Sequence, residues 1–388
     1  MLVVPFPRVH VVVDYRPALR ARTGIGEYVH ELARALTATA GPGRTVTLFS
    51  SSWADRVDPR VARDIPAAVI DRRVPVRALT WAWHHLEWPP IEMLAGPCDV
   101  VHSPTPLLVP AAHAARVVTV FDLHFLQRPD QVDGTARRDF GPLARAHIAR
   151  ADHVIAGSDY AAQLVTRELG VPAAHVTSTP LGAPPWAAEV RSARRGARGD
   201  CFLFIGTLEP RKNVGVLLDG YAALLARRPD APRLVLAGRV AEAGRAWAAR
   251  TAEAPLAGHV TLAGYVSDDA RRALYAQARA VVVPSLDEGF GLPIIESLRH
   301  GRPCITSDRG SMREIADLTG GCLLIDPEDT ADMATAIAGL FEVPEDLARL
   351  TLEAEQAKWP DWREYTEQLV RFATRPAATL KIRQRPAA

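Results

Sequence analysis

The strongest constraint on the fold is the regular alternation of short, Val-rich apolar runs with segments of helical periodicity. Continuous apolar runs indicate strands buried on both faces, and the helical segments between them indicate crossover connections. The predicted strands are 9–13, 46–49, 100–101, 117–121 and 153–156 in the first half, and 201–205, 234–237, 260–262, 280–283, 304–307 and 322–325 in the second. This pattern predicts two α/β domains, each with a parallel, doubly wound sheet.

A stretch rich in proline, glycine and arginine at 181–200 interrupts the alternation and is the predicted linker. It separates a first domain at 1–180 from a second at 201–360, and a further helix with a basic tail is expected at 361–388. In open parallel sheets, ligands bind beyond the carboxyl ends of the strands. A cleft between the two domains is therefore the expected active site.

The net charge and the lengths of the apolar runs argue against two classes of protein, nucleic-acid-binding and membrane-spanning. The 388 residues carry 46 Lys and Arg against 44 Asp and Glu, a net charge of +2. Because neither half concentrates basic charge, a nucleic-acid-binding protein is not indicated. No run reaches the roughly 18 apolar residues that a membrane-spanning helix needs, and the first residues do not resemble a signal peptide. We expect a cytoplasmic protein with four free cysteines.

The basic tail allows one refinement of this location. Residues 375–388 contain basic and no acidic side chains, which is typical of a solvated terminus. The functional alternative is weak attraction to an anionic membrane surface, which would make the protein peripheral at the inner face of the membrane.

The segment at 284–307 carries the most chemical information. Gly289 and Gly291 flank Phe290 directly after a predicted strand, so the backbone can turn sharply and approach a ligand closely. Pro293 suits the first turn of a helix that Ile294, Ile295 and Leu298 would continue. The free N–H groups at that helix start would form an anion site large enough for a diphosphate.

Two carboxylates bracket this turn. Glu288 is expected on the loop before the helix and Glu296 about one turn inside it, so they would not form an acid/base pair. Each would then contact a different part of an extended ligand, and carboxylates accept hydrogen bonds well from vicinal sugar hydroxyls. The structural alternative is a solvated Glu296 and a Glu288 that only complements the helix dipole.

Two cations precede a second predicted helix. Arg211 and Lys212 oppose the dipole of that helix, and a bound anion such as a phosphate would explain them. The alternative is two solvated surface cations. In the first domain, Gly24 and Gly26 open a helix after the first strand. A dinucleotide fingerprint would need a third glycine at Val29, so a hydride-transfer enzyme is poorly supported.

Taken together, these segments identify a known family. The chain resembles the retaining GT-B glycosyltransferases of family four, also called glycosyl transferases group 1. The matching segments are GIGEY (24–28), VHSP (101–104), TVFDLHFLQRPD (119–130), VIAGSDYAAQLV (154–165), FIGTLEPRKN (204–213), VLAG (235–238), GYVSDD (264–269) and SLDEGFGLPIIES (285–297). The last contains the family's two glutamates separated by seven residues. The resemblance implies an α/β GT-B fold with two doubly wound Rossmann-like domains facing a central cleft.

The resemblance also implies a donor site. Arg211 and Lys212 would bind the diphosphate of a nucleotide sugar and stabilise it as it leaves. Glu296 would bind the ribose hydroxyls. Glu288, with the backbone N–H groups of 290–292, would hold the transferred sugar and the β-phosphate. No metal and no cofactor is expected beyond the nucleotide-diphosphate sugar as co-substrate, because these cations and the helix start supply the electrostatic stabilisation.

The first domain would bind the acceptor, which is a glycan, a lipid-linked sugar or a small molecule. Gly24 and Gly26 would line the cleft from that domain and contribute to binding of the donor. Many family members have His-Asp where this chain has Phe121 and Asp122. His124 therefore replaces the missing imidazole from the same loop, or the contact is absent; Asp122 keeps the family position.

The sequence predicts a hexosyltransferase, with mannose or glucose as the sugar suggested by similarity. Two other classes stay open. One is another enzyme of the same architecture, a nucleotide-sugar epimerase or a phosphorylase. The other is a non-catalytic nucleotide-sugar-binding protein, in which Phe121 marks lost chemistry.

Overall fold

The chain forms two compact units of similar architecture. The computed structural model describes residues 9–19, 24–41, 43–128, 137–182 and 199–371. One unit comprises Met1–Gly182 with Pro360–Ala388, and the other comprises Ala183–Trp359. Each contains one parallel sheet with connecting helices, which confirms the predicted pair of doubly wound α/β domains. Most of the predicted linker and the basic tail lie outside the described residues.

Seven strands form the sheet of the first unit: β1 (Val9–Asp14), β2 (Arg44–Ser51), β3 (Ala68–Arg72), β4 (Val100–Ser103), β5 (Ala115–Val120), β6 (His153–Ala156) and β7 (Val176–Ser178). They are parallel, in the order β3-β2-β1-β4-β5-β6-β7. The strand order reverses between β1 and β4, the switch point at which such sheets bind ligands. The sequence does not predict the edge strands β3 and β7, because both are half-exposed and lack a long apolar run.

Seven helices connect these strands: α1 (Ile25–Ala38), α2 (Val61–Asp64), α3 (Val76–His85), α4 (Ile91–Ala95), α5 (His124–Gln127), α6 (Arg137–Arg150) and α7 (Asp159–Leu169). The helix predicted to open at Gly24 and Gly26 is α1; its Val29, Leu32 and Leu36 are fully buried, whereas Ile25 in its first turn is 40% exposed. Burial of one apolar face is what holds such a helix against its sheet.

The sheet of the second unit has six strands: β8 (Cys201–Ile205), β9 (Arg233–Ala237), β10 (Val260–Gly264), β11 (Ala278–Val283), β12 (Cys304–Ser307) and β13 (Cys322–Ile325). They are parallel, in the order β10-β9-β8-β11-β12-β13. Its helices are α8 (Val214–Arg227), α9 (Arg245–Arg250), α10 (Asp268–Gln277), α11 (Leu292–Arg299), α12 (Gly310–Thr319), α13 (Thr330–Glu342) and α14 (Pro344–Gln356). The central strands β8 and β11 are neighbours, so the loops that follow them meet at one edge.

The last helix returns to the first unit. The helix α15 (Trp362–Arg371) packs on α1, and its Trp362 lies so close to Gly182 that a Cβ there would be 2.5 Å from the indole. The Tyr365 hydroxyl is buried 2.6 Å from the Tyr28 hydroxyl and 3.2 Å from Thr119 Oγ1. The sequence predicts this helix but not its destination.

Two further expectations concern the whole chain. All four cysteines are free thiols, as expected. Among the helices of the described residues, none is both long and apolar enough to cross a bilayer.

Candidate active site

Two loops at the carboxyl edge of the second sheet are bound to each other. The loop after β8 contains a short 3-10 turn, Pro210–Lys212, and ends at Asn213 in the left-handed conformation (φ 53°). The Asn213 side-chain amide donates to the carbonyls of Pro284 (3.1 Å) and Pro327 (2.6 Å). The amide of Leu286, after β11, donates to the Arg211 carbonyl at 2.9 Å. The cations before α8 are thereby fixed beside the loop that carries the first glutamate.

A compact ionic cluster results. Lys212 Nζ lies 2.5 Å from Glu288 Oε1, and Arg211 Nη1 lies 3.2 Å from Glu288 Oε2. The Ser285 hydroxyl donates to Glu288 Oε1 at 2.6 Å, and Arg211 also contacts Glu209 at 3.2 Å. The sequence predicts a diphosphate site for the two cations and a sugar and β-phosphate site for Glu288 but no contact between them, whereas in the structure each cation is paired with Glu288.

The charge state of Glu288 follows from these contacts. Its side chain is nearly buried, and burial alone would raise the pKa of the carboxyl. The charges of Lys212 and Arg211, together with the Lys212 and Ser285 hydrogen bonds, outweigh burial and lower the pKa of Glu288 to about 2. The carboxylate is therefore ionised at neutral pH and holds both cations in a partly buried position, where electrostatic interactions are strong.

The start of α11 lies next to this cluster. Gly291 adopts φ 74° and precedes the helix, whose first turn contains Pro293 as predicted. Phe290 is buried edge-on against Trp359. Within the described residues, the N–H groups of Gly289, Phe290, Gly291 and Leu292 donate to no acceptor. Such a row of amides at a helix start can bind an anion.

Glu296 lies inside α11, while Glu288 precedes the helix, as the sequence predicted. Glu296 is buried and accepts a 2.6 Å hydrogen bond from the Tyr275 hydroxyl, and Arg271 Nη1 lies 3.5 Å from its other oxygen. Burial, followed by the Glu296 charge, raises the pKa of Tyr275 well above its usual value. Glu296 is therefore not a solvated helix residue, and its partners Tyr275 and Arg271 differ from the partners of Glu288.

In the first unit, Gly24 and Gly26 lie where expected. Gly24 has φ 54° and directly precedes α1, and a Cβ on it would meet nothing within 4 Å. Gly26 is buried in the first turn of that helix. A side chain at Gly24 would therefore be limited by the backbone conformation rather than by atoms of the described residues.

The Phe121–Asp122–His124 loop follows β5 at the same edge. Asp122 is half-buried, and its Oδ1 accepts the backbone N–H of His124 at 3.2 Å. The His124 side chain is buried, and the Phe121 ring meets the Tyr28 ring edge-on at 4.8 Å. The Asp122 hydrogen bond thus stabilises the turn that leads into α5, and Phe121 packs against Tyr28 of α1.

Sequence reasoning missed the side chains that hold the site residues. They are Glu209, Asn213, Arg271, Tyr275, Ser285 and Ser311, the last of which donates to the Glu288 carbonyl at 2.6 Å. Ser285 and Asn213 stand within the matching segments and could have been singled out there. Tyr275 and Arg271 lie on α10, where their helical spacing gives no sign that they reach Glu296.

The family models match both units. The model described as Glycosyl transferase 4-like domain matches residues 23–182, and the model described as Glycosyl transferases group 1 matches residues 199–342. The chain belongs to the group 1 glycosyltransferases. The chain accordingly has the GT-B fold and the glycosyltransferase activity of this family.

Individual relatives agree with this family. The O-antigen chain mannosyltransferase B of Escherichia coli is 26% identical over 379 residues, covering 93% of this chain and 98% of that protein. The solved structure of WaaG, a glycosyltransferase involved in lipopolysaccharide biosynthesis, superposes with a TM-score of 0.69 at 16% identity, over 94% of this glycosyltransferase and 100% of WaaG. The Anabaena protein HepE, solved with UDP and glucose, gives 0.63 at 17% identity, over 94% and 98%.

Among the described residues, no group of three or more His, Cys, Asp or Glu side chains is arranged to hold a metal ion.

Proposed function

We propose that this glycosyltransferase transfers a hexose, mannose or glucose, from a nucleotide-diphosphate sugar to a glycan, lipid-linked or small-molecule acceptor, with retention of the anomeric configuration. The observation that carries the proposal is that two partly buried cations, held by Glu288, lie in the same pair of loops as a row of backbone amides that donate to no acceptor within the described residues. Mannose as the sugar is supported by the full-length relative from Escherichia coli, which is named a mannosyltransferase of the O-antigen chain.

The cluster suits a leaving diphosphate. As the bond between sugar and phosphate breaks, negative charge grows on the phosphate oxygens, and preorganised donors lower the barrier most. Lys212 and Arg211 are held in place by Glu288 before the ligand arrives, so little reorganisation is needed. The amides of 290–292 would bind the β-phosphate, and Glu288 would contact the sugar. Because these groups would stabilise the negative charge that develops on the diphosphate, we propose that the reaction needs no metal ion.

Glu296 is proposed to bind the ribose hydroxyls. Its carboxylate is fixed by the Tyr275 hydroxyl and faces Arg271, so the rotamer is set before binding. A carboxylate in a fixed position can accept hydrogen bonds from both hydroxyls of a vicinal diol.

From the first unit, we propose that Gly24 and Gly26 contribute to donor binding and that Asp122 and His124 act in catalysis near the reacting centre. The test of the loop compares His124→Ala, Asp122→Ala and Phe121→His at saturating donor. If His124 replaces the family imidazole, His124→Ala lowers turnover far more than donor binding. If the site has no imidazole, Asp122→Ala is the damaging change and Phe121→His is faster than wild type. Unchanged rates in all three variants exclude the loop from catalysis.

The proposed reaction is tested with a panel of GDP- and UDP-linked mannose and glucose, with and without EDTA. Release of nucleoside diphosphate and a product with the donor's anomeric configuration are expected, unaffected by the chelator. An epimerase would release no nucleoside diphosphate, a phosphorylase would require inorganic phosphate, and a binding protein would bind a donor without turnover. Since such donors are cytoplasmic metabolites, a cytoplasmic location is part of this proposal.

A further inference from the structure

Large apolar side chains are exposed along α3 and directly after it. Trp81, Leu86 and Trp88 are 56%, 58% and 57% exposed. The helix buries Leu79 and Trp83 on one face. Trp81 is two positions from each of these, about 200° around the helix, so it points away from the core.

Arginine side chains lie on the same face of α3 and just before the helix. Arg77 lies four residues before Trp81, and the His85 ring lies 5.5 Å from the Trp81 ring on the other side, so the three form one exposed row. Arg73 precedes the helix and is exposed as well. Neither Arg73 nor Arg77 makes an ion pair or side-chain hydrogen bond within the described residues.

The acidic side chains of this segment have partners other than Arg73 and Arg77. Between residues 68 and 95 the acids are Asp71, Glu87 and Glu92. Asp71 pairs with Arg56, Glu87 pairs with Arg150, and Glu92 accepts three backbone N–H groups from Ala112, His113 and Ala114. Arg73 and Arg77 therefore have no ionic partner within the described residues and lie beside exposed indoles and a leucine.

The position of this surface in the sheet is informative. Because α3 follows β3 and all strands are parallel, its first turn lies at the carboxyl edge of the first sheet, where Asp122 also lies. Four strand spacings separate β3 from β5, which corresponds to about 19 Å. A partner held by α3 would thus be near the edge proposed to receive the acceptor.

We propose that the α3 surface, formed by Arg73, Arg77, Trp81, Leu86 and Trp88, docks the protein onto an anionic lipid bilayer. Indole rings favour the level of the lipid headgroups, leucine favours the acyl chains beneath, and unpaired arginines attract anionic headgroups. A glycan would stack on the indoles but leave the leucine without a partner. A second copy of the chain would bring four uncompensated arginines together, which repel one another.

The test is co-sedimentation of the full chain with phosphatidylglycerol vesicles and with phosphatidylcholine vesicles. The wild type binds the anionic vesicles, and binding weakens with added salt. Arg77→Gln lowers the affinity about fivefold, whereas Arg227→Gln, at an exposed arginine of the second unit, does not change it.

Leu86→Ser and Leu318→Ser form a second matched pair, because the two leucines are 58% and 59% exposed. Leu86→Ser and the double variant Trp81→Ser/Trp88→Ser release the protein from vesicles, while Leu318→Ser does not. Thermal unfolding and donor hydrolysis in solution are unchanged in all of them. Vesicle binding that survives the double variant overturns the proposal. A wild type that does not bind anionic vesicles also overturns it. If that wild type dimerises and the double variant does not, the α3 surface is a dimer contact instead.

Discussion

At the scale of single residues, the central feature is that Glu288 organises the two cations proposed to bind the diphosphate. Removing Lys212 or Arg211 takes away a preorganised partner of the developing charge. We expect Lys212→Ala and Arg211→Ala each to lower kcat/KM about 10²- to 10³-fold. Arg227→Ala, at an exposed arginine of α8, is the control and should match the wild type. Near-wild-type rates in both site variants would end this assignment.

The low pKa of Glu288 makes a prediction about acid stability. The pKa falls from 4.5 to about 2 on folding, so the carboxylate stabilises the fold fully above pH 4.5, and this contribution is lost as the pH falls through 2. Glu288→Gln should lower the free energy of unfolding by about 3 kcal/mol at neutral pH, and the difference from wild type should shrink between those two pH values. Denaturant unfolding measured across that window checks this.

A suitable control for this pH effect is Glu253→Gln, which changes an exposed glutamate. Its difference from wild type should be small and should not depend on pH in the same window. A constant gap between wild type and Glu288→Gln down to pH 2 would contradict the ionised, cation-held carboxylate.

Sequence reasoning reached the identity of these residues but not their contacts. The loop position of Glu288 and the helix position of Glu296 follow from Gly289, Gly291 and Pro293, which act locally. The bond from Lys212 to Glu288 joins residues 76 positions apart. It depends on the adjacency of β8 and β11, which no local pattern encodes.

At the scale of elements, the start of α11 depends on a glycine. Gly291 has φ 74°, and a Cβ there would lie 2.9 Å from Ile315 Cδ1. Gly291→Ala should cost about 1 kcal/mol of stability or more and should weaken binding of a nucleoside diphosphate, because the row of amides shifts. Gly258→Ala is the matched control, since Gly258 has φ 81° but open space around it. Equal nucleotide affinity in the two variants would disconnect the helix start from the ligand.

The return of α15 to the first unit provides a second element-level prediction. Tyr365→Phe removes the hydroxyl that contacts Tyr28 and Thr119 in a buried network that also includes His102. Burial lowers the pKa of His102 to about 3, so the network is uncharged at neutral pH. We expect a loss of about 1 to 2 kcal/mol in the free energy of unfolding.

The control is Tyr265→Phe, which makes the same chemical change at a side chain that is 61% exposed. Its unfolding curve should coincide with that of the wild type. If the two variants are equally stable, the buried network contributes nothing and α15 is held by its apolar contacts alone.

The sequence predicts the bounds of a strand best where the strand is buried along its whole length. Strands buried along almost their whole length, such as β6, β8 and β12, have the predicted bounds. The edge strands β3 and β7 have partners on one side only and mixed composition, so their sequences resemble loops. The exposed row on α3 was equally invisible, because an outward-facing tryptophan and a buried one look alike in sequence.

At the scale of the whole molecule, the two similar α/β units contribute different sets of candidate functional residues. The second unit concentrates the cations, the glutamates and the helix start in two loops of adjacent strands. The first unit provides Gly24, Asp122 and His124 at one sheet edge, together with the α3 surface. The alternation of apolar and helical segments predicts both units, because each sheet is built from local crossovers that repeat along the chain.

The most direct test of the central claim is a calorimetric titration of a nucleoside diphosphate, and of its nucleoside, into the wild type, Lys212→Ala and Glu296→Ala. If Lys212 binds the diphosphate and Glu296 the ribose, Lys212→Ala weakens the diphosphate at least about tenfold and leaves the nucleoside unchanged, whereas Glu296→Ala weakens both. A Lys212→Ala variant that binds the diphosphate as tightly as the wild type, or that loses the nucleoside equally, would contradict the account.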